Sequence, residues 1–209
     1  MTVALFFHTD SLCADAQVVS CESSADGFTV ILNQTLFHPQ GGGQLGDTGH
    51  IGGNKVTKVV KNGEDIIHYS ESAVALGQVD IQVDAERRLL NSRLHSAGHL
   101  IGHIGEAYGL QAIKGHHWPG EAKVSFKPQS GSKVINAESI QQEIDKLISA
   151  DLPRYTRTNE DSMRMVGFGT LEPYACGGTH VAHLGMIGSA VITGVKEKKG
   201  IISVSYQVV

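Results

Sequence analysis

The sequence predicts an α+β protein with two domains: a small N-terminal β-barrel-like domain at 1–86, and an α+β domain at 87–209 with helices on an antiparallel sheet. Three observations support this. Short β-rich runs separated by Asp, Ser and Gly fill the first part, helical spacing of apolar residues begins after Asp84, and alternation returns at the C-terminus. The length of 209 residues, with 41% hydrophobic and 18% charged residues, allows one large or two small domains.

Six short strands are expected in the first domain. They cover residues 3–8, 17–21, 28–32, 55–60, 65–69 and 79–83. The Asn62-Gly63 step between two of them is a strong hairpin signal. So many short strands in about 80 residues are typical of a small barrel.

Two helices and a hairpin are expected in the second domain. Asp84 can cap a first helix that carries Gly98, Gly102 and Gly105. Glycine costs about 1 kcal/mol relative to alanine inside a helix, so these positions indicate close approach by another element or by a substrate. Asn136 caps a second helix, and residues 189–195 and 201–208 form the terminal hairpin.

Two short motifs carry the candidate chemistry. His95 and His99, spaced i, i+4, lie on one face of the first helix, and Cys176 and His180 flank a Gly-Gly corner. Three nitrogen donors and one sulfur donor suit a tetrahedral Zn²⁺ site. The alternative is a His95 bonded to a carbonyl and a Cys176 that packs as a small hydrophobe. His103 extends the helical histidine face and is a weaker candidate ligand.

These motifs, RLHSAGHL and ACGGTH, resemble the paired zinc motifs of the alanyl-tRNA editing family. This family comprises free-standing proteins similar to the editing domain of alanyl-tRNA synthetase and, more distantly, to that of threonyl-tRNA synthetase. LFHPQGGGQLGDTGHI at 36–51 resembles the glycine-rich motif of the alanyl branch, and GHHWPGEAKVSF at 115–126 resembles a segment that follows the metal helix. No catalytic synthetase core is recognisable, so editing in trans is expected.

The resemblance implies a zinc-dependent hydrolase that deacylates mischarged Ser-tRNA(Ala), with Gly-tRNA(Ala) left open as a second substrate. It implies one Zn²⁺ per chain, held by His95, His99, Cys176 and His180, through which these residues act in catalysis. Gln44 is the candidate reader of the amino-acid side chain. Gly43, Asp47 and Thr179 are the other candidate substrate-binding residues, although the glycine-rich segment could also simply shape a turn.

Several alternatives stay open at this point. Editing of Ser-tRNA(Thr), a non-catalytic zinc-containing tRNA-binding module and a Cys176–His180 thiol hydrolase are the competing functions. Four protein ligands are typical of a structural zinc site, whereas catalytic zinc keeps an open position. Either one ligand leaves or the metal expands to five-coordinate when substrate binds, and zinc could activate water or position the substrate.

Charge divides unevenly along the chain. Residues 1–86 carry 3 Lys/Arg and 11 Asp/Glu, whereas residues 87–209 carry 14 and 10. The partner, tRNA, is therefore expected to contact the C-terminal part. The candidate contacts are Arg87, Arg88, Arg93, Arg154, Arg157, Lys196, Lys198 and Lys199.

The remaining expectations concern compartment and cysteines. The N-terminus has no basic signal-peptide region and no apolar run is long enough to cross a membrane, so a cytoplasmic protein is expected, with no nucleotide cofactor. Three cysteines, one assigned to metal, argue against a disulfide framework, and Cys13 and Cys21 are expected to be buried.

Overall fold

A computed structural model describes residues 1–209 and contains fifteen strands and two α-helices. The chain divides into two compact units. The first comprises Met1–Gly41 and Leu45–Leu89, and the second comprises Gly42–Gln44 and Leu90–Val209. The prediction of a mixed helix-and-sheet protein with mainly antiparallel sheets is confirmed. Neither helix is long and apolar enough to span a membrane.

The first unit contains eight strands. They are β1 (Val3–Ala4), β2 (Cys13–Ser24), β3 (Gly27–Leu32), β4 (Gln34–Thr35), β5 (Gly49–Ile51), β6 (Asn54–Asn62), β7 (Asp65–Ser70) and β8 (Gly77–Val83). Six of them pair antiparallel in the order β2-β3-β7-β6-β5-β8, and β8 pairs back with β2, which closes a barrel. The inward residues, among them Val30, Ile51 and Val59, are fully buried.

Three elements of the first unit differ from the sequence prediction. Only Val3–Ala4 of the segment 3–8 is a strand, paired parallel with β4, and Leu5–Phe7 is a 3-10 turn. Residues 3–7 are all apolar and show no alternation, and Phe6 is buried in the core from within the turn. The strands Gln34–Thr35 and Gly49–Ile51 went unpredicted because two or three residues are too few to show a pattern. Cys13 is exposed, so the expectation that it is buried is wrong.

The second unit contains most of α1 (Ala85–Ala107), which begins in the first unit, and α2 (Ala137–Ser149). Its strands are β9 (Leu110–His116), β10 (Lys123–Pro128), β11 (Arg154–Thr158), β12 (Arg164–Phe168), β13 (Tyr174–Ala175), β14 (Ala190–Lys198) and β15 (Ile201–Val208). They form a four-stranded antiparallel sheet in the order β14-β15-β10-β9 and a three-stranded sheet β11-β12-β13. Apolar residues of both helices and of the four-stranded sheet share one core.

The helix starts and the last hairpin follow the sequence closely. Asp84 Oδ1 accepts a hydrogen bond from the Arg87 N–H at 3.1 Å. Asn136 forms a capping box with Ser139 at the start of α2. The terminal hairpin turns on Lys199 and Gly200, with φ of 53° and 72°, which suits a two-residue turn with two positive φ angles.

The glycines of α1 make room for close neighbours, as the sequence predicted. A Cβ on Gly98 would lie 2.3 Å from Cε1 of His117, and one on Gly105 would lie 2.3 Å from Cε1 of Phe126. Both neighbours come from the segment that contains β9 and β10. Glycine is therefore required where this segment packs against the helix.

The glycine-rich segment is shared between the two units. The predicted first domain at 1–86 includes the whole segment, whereas residues 42–44 group with the second unit in the structure. The His117 N–H donates to the Gly43 carbonyl at 2.8 Å. Gly43 has φ of 79°, and a Cβ there would lie 2.5 Å from the Gly115 carbonyl oxygen. Backbone contact with β9 therefore ties this tripeptide to the second unit.

Candidate metal centre

Helix α1 and the loop after β13 bring together the four predicted ligands, His95, His99, Cys176 and His180. One candidate ligand atom from each residue lies within 4.8 Å of all the others. Nε2 of His180 is 3.2 Å from Nε2 of His99, and Cys176 Sγ is 3.3 Å from Nε2 of His95 and 3.8 Å from Nε2 of His180. In a tetrahedral zinc site the corresponding edges are about 3.3 Å between nitrogens and about 3.6 Å between nitrogen and sulfur. These separations fit one shared metal ion.

The corner that carries Cys176 and His180 is held by two arginines from the three-stranded sheet. Arg164 Nη1 donates to the carbonyl oxygens of Cys176 at 2.9 Å and Gly178 at 3.1 Å. Arg154 Nη1 donates to the carbonyl oxygen of His180 at 2.7 Å. Gly178 packs against the His95 ring, where a Cβ would lie 2.2 Å from Cε1. Arginine donors and an obligatory glycine therefore fix the backbone of this corner.

Gln44 fixes the orientation of His95. Its Oε1 lies 2.7 Å from His95 Nδ1 and accepts the Thr179 N–H at 3.0 Å, while its Nε2 donates to Thr179 Oγ1 at 2.9 Å. Because an amide oxygen can only accept, the His95 proton resides on Nδ1. The Nε2 lone pair then points toward Cys176, as a metal ligand requires.

Burial keeps the neighbouring imidazoles neutral. Desolvation lowers the pKa of His99 to about 3 and holds the pKa of His180 well below its ordinary value. Their Nδ1 atoms are buried without hydrogen-bond partners, while their Nε2 atoms face each other. With the protons on Nδ1, two lone pairs point into one space, and a cation there would satisfy both.

The thiol of Cys176 is not activated by its protein surroundings. Burial raises its pKa, although the Gly178 N–H and the Arg164 charge act in the opposite direction. A nucleophilic cysteine needs a lowered pKa. This environment therefore disfavours the thiol hydrolase and suits a sulfur that becomes a thiolate on binding metal.

His117 is a functional candidate that received no definite role from the sequence. Its ring stacks on His95, with centroids 4.4 Å apart and planes at 22°. The Tyr206 hydroxyl donates to the Leu94 carbonyl at 2.9 Å, so His117 Nδ1, 2.6 Å from that hydroxyl, is the donor to it. The available signal was Gly98, whose missing side chain leaves space for this ring.

His103 does not join the four ligands. Its ring stacks on Tyr174 with centroids 4.5 Å apart, and Tyr174 also meets the edge of His99 at 5.1 Å. The Tyr174 hydroxyl donates to Glu106 at 2.6 Å. The Tyr174 ring thus contacts both His99 and His103, and His103 is not one of the four clustered residues.

The predicted substrate-binding residues are placed differently from one another. Thr179 and Gln44 touch each other beside His95, and the Gly43 carbonyl accepts the N–H of His117, the residue after β9. Asp47 is buried in the first unit, where it accepts the His38 N–H at 2.6 Å and forms an ion pair with Arg88. The contacts of Asp47 are therefore those of a buried ion pair.

Comparison with known proteins agrees with the motifs. The family model described as the threonyl and alanyl tRNA synthetase second additional domain matches residues 163–202, which include Cys176 and His180. The chain is 27% identical to alanyl-tRNA editing protein Aarsd1 of Danio rerio, over 88% of this chain and 53% of that protein. It is 28% identical to alanyl-tRNA editing protein AlaX-L of Pyrococcus horikoshii, over 83% of this chain and 49% of that protein.

Similarity extends to a larger class of proteins. An alanine–tRNA ligase of Cereibacter sphaeroides is 31% identical over 84% of this chain and 25% of the ligase. The chain spans about half the length of the editing-protein relatives that it matches. The resemblance that the motifs indicate is confirmed: along most of its length the chain is similar to alanyl-tRNA editing proteins.

Proposed function

We propose that this protein is a zinc-dependent aminoacyl-tRNA deacylase that removes serine from mischarged tRNA(Ala). The observation that carries the proposal is the convergence of His95, His99, Cys176 and His180 on one point. It occurs in a relative of proteins named for alanyl-tRNA editing. Gly-tRNA(Ala) is the second substrate to test.

The four ligand residues would hold the ion through three imidazole nitrogens and one thiolate. Bound zinc supplies Lewis-acid chemistry, either on a water molecule or on the ester carbonyl. The ester joining an amino acid to the 3′ end of tRNA is intrinsically labile. The chain therefore mainly has to bind, orient and discriminate.

The residues around the four candidate ligands hold these side chains in position. Gln44 holds the proton of His95 on Nδ1, and the stacked ring of His117 limits rotation of the His95 imidazole. Thr179 bonds both to Gln44 and to the Ser92 hydroxyl at 2.8 Å. A pre-oriented ligand set avoids rearrangement during the reaction.

Selectivity for serine follows from the problem that an alanine-activating pocket faces. Such a pocket cannot strongly reject an amino acid that adds one hydroxyl. An editing site has the reverse task, because it must act on the hydroxyl-bearing amino acid and spare alanine. The expected order is therefore rapid deacylation of Ser-tRNA(Ala) and slow deacylation of Ala-tRNA(Ala).

The test combines metal analysis with deacylation. Protein purified without added metal should contain about one zinc per chain and release serine from Ser-tRNA(Ala) while sparing Ala-tRNA(Ala). Cys176→Ala should lose both zinc and activity. Cys21→Ala, a matched cysteine substitution in the first unit, should keep both.

Three outcomes would contradict the proposal. A folded, metal-free protein with full activity would remove the role of zinc. Preference for Ser-tRNA(Thr) would identify the threonyl substrate instead. Zinc and tRNA binding without turnover on any of the four aminoacyl-tRNAs, including Gly-tRNA(Ala), would identify a non-catalytic module.

A further inference from the structure

The strands of the four-stranded sheet are rich in lysine. Strands β9, β10, β14 and β15 carry five lysines and one glutamate. All five lysines are exposed, and we call them together the lysine face. They are Lys114, Lys123, Lys127, Lys196 and Lys198.

The strand register places these lysines on one side of the sheet. Lys196 pairs with Ser203, Ser203 with Ser125, and Ser125 with Lys114, which makes one row across all four strands. Directly paired residues project to the same side of an antiparallel sheet.

The neighbouring row of paired residues on this side of the sheet is also polar. It runs from Ser205 through Lys123 to His116. The alternate residues of β10 and β15, among them Val124 and Val204, belong to the buried core. The lysine face is therefore the side of the sheet that carries no core.

The lysine face is also hydroxyl-lined and concave. Lys114, Lys123, Ser125 and Ser203 line one open depression of about 420 Å³, together with His116 and Glu121. The Ser125 and Ser203 hydroxyls are 3.4 Å apart. Glu121 is drawn toward His116, at 3.5 Å between Oε2 and Nε2. Ammonium groups beside hydroxyl donors are the side chains that proteins use to contact phosphodiester oxygens.

The lysines of this face are unpaired, whereas the arginines expected to contact tRNA already have partners. None of the five lysines takes part in an ion pair. In contrast, Arg154 donates to the His180 carbonyl at 2.7 Å, and Arg93 donates to the Ile187 carbonyl at 2.6 Å. The free positive charge of the second unit is thus concentrated on the lysine face.

We infer that the lysine face binds the phosphate backbone of the tRNA substrate, an inference that rests on the proposed function. The position of the lysine face near the candidate metal centre supports the same conclusion as its charge. His116 closes strand β9 on the outer row, and the next residue, His117, stacks on His95 of the metal centre. Phosphates held on this face would therefore lie along a strand whose following residue, His117, stacks on the candidate ligand His95.

Binding of uncharged tRNA(Ala) tests the inference without requiring activity. The triple substitution Lys114→Gln, Lys123→Gln and Lys196→Gln should weaken binding about tenfold or more at low salt. It should also reduce the slope of log K against log salt concentration by about 2 to 3, because each lost phosphate contact removes about 0.9. The matched control removes the same charge from exposed lysines elsewhere, through Lys58→Gln, Lys61→Gln and Lys133→Gln.

Two binding results would overturn the inference. One is a triple variant whose affinity for tRNA(Ala) and salt slope are unchanged. The lysine face would then either bind an acidic protein partner or only contact solvent. The other is an equal loss in the control, which would reduce the effect to net charge.

Deacylation separates this inference from the proposed function. The lysine-face variant should lose kcat/KM on Ser-tRNA(Ala) but keep the wild-type rate on a seryl ester of adenosine, which has no phosphate backbone. A wild-type protein inactive on both substrates would refute the proposed function, and loss of tRNA binding in the variant would still support the surface. An active wild type whose variant handles both substrates normally would refute the surface alone.

Discussion

Replacement of Gln44 separates two roles for this residue. The sequence predicts that Gln44 reads the amino-acid side chain, whereas in the structure its amide bonds to His95 and Thr179. We propose that it is a positioning residue for His95. Gln44→Leu removes the hydrogen bonds at similar side-chain size, and Gln44→Glu retains an acceptor for His95 Nδ1–H and the Thr179 N–H.

The magnitude follows from the groups left unpaired. Gln44→Leu leaves the His95 Nδ1–H and the Thr179 N–H buried without this acceptor, at about 1–3 kcal/mol each, so the free energy of unfolding should fall by about 3 kcal/mol. Loss of the group that orients a metal-binding histidine costs about 10–100-fold in metal affinity. Gln44→Glu should stay close to wild type in zinc affinity.

The assay measures zinc affinity by competition with a chelator and deacylation of Ser-tRNA(Ala) and Ala-tRNA(Ala) with zinc in excess. If Gln44 positions His95, Gln44→Leu should weaken zinc binding and lower both deacylation rates in parallel. If Gln44 instead recognises the amino-acid side chain, zinc affinity should be unchanged. The ratio of the Ser-tRNA(Ala) to the Ala-tRNA(Ala) deacylation rate should then change by roughly ten- to hundredfold. The second pattern would refute the reasoning from the hydrogen bonds.

Two further predictions use packing and pH. Gly98→Ala should displace the His117 ring from His95 and lower the rate of deacylation at least tenfold. Gly177→Ala, with no atom within 4 Å of its added Cβ, should leave the rate nearly unchanged. Equal effects of the two substitutions on the rate would contradict a steric cause. His68 is buried in the barrel with its Nε2 2.8 Å from Thr35 Oγ1, and burial lowers its pKa from 6.5 to about 4. Between these pH values only the unfolded chain binds the proton. The free energy of unfolding should therefore fall by about 3 kcal/mol as pH drops from 7 to 4. The measurement is denaturant unfolding of wild type and His68→Gln, and identical pH profiles would contradict it.

The helix starts, the terminal hairpin and each of the two candidate ligand pairs could be predicted because each depends on residues close together in sequence. Asn136 caps α2 through Ser139, only three residues away. The pair His95 and His99 share a helix face through their spacing alone. The side chains that hold these ligands could not be predicted in the same way. Gln44 lies 51 residues from His95, and nothing local to it signals the contact.

The expected tRNA contacts show why counting charges can indicate a region of the chain but cannot identify the individual residues. The second part of the chain is net positive, but the count gives equal weight to every cation. A guanidinium has five donors in a fixed plane, which suits it to carbonyl groups inside a fold. Arg154 and Arg93 are used in this way, at the His180 carbonyl and at the Ile187 carbonyl.

Lysine behaves differently, because its ammonium group is strongly hydrated and stays in solvent at the end of a flexible stem. On a strand, every second residue faces outward, so lysines at alternate positions collect on one surface without any contact among themselves. Lys123 and Lys127 satisfy this rule on β10. Strand register, which the sequence did not provide for β9 and β10, is thus what turns scattered lysines into a surface. We therefore expect the tRNA contacts on the lysine face and not at the paired arginines, and substitution of these lysines can test that expectation.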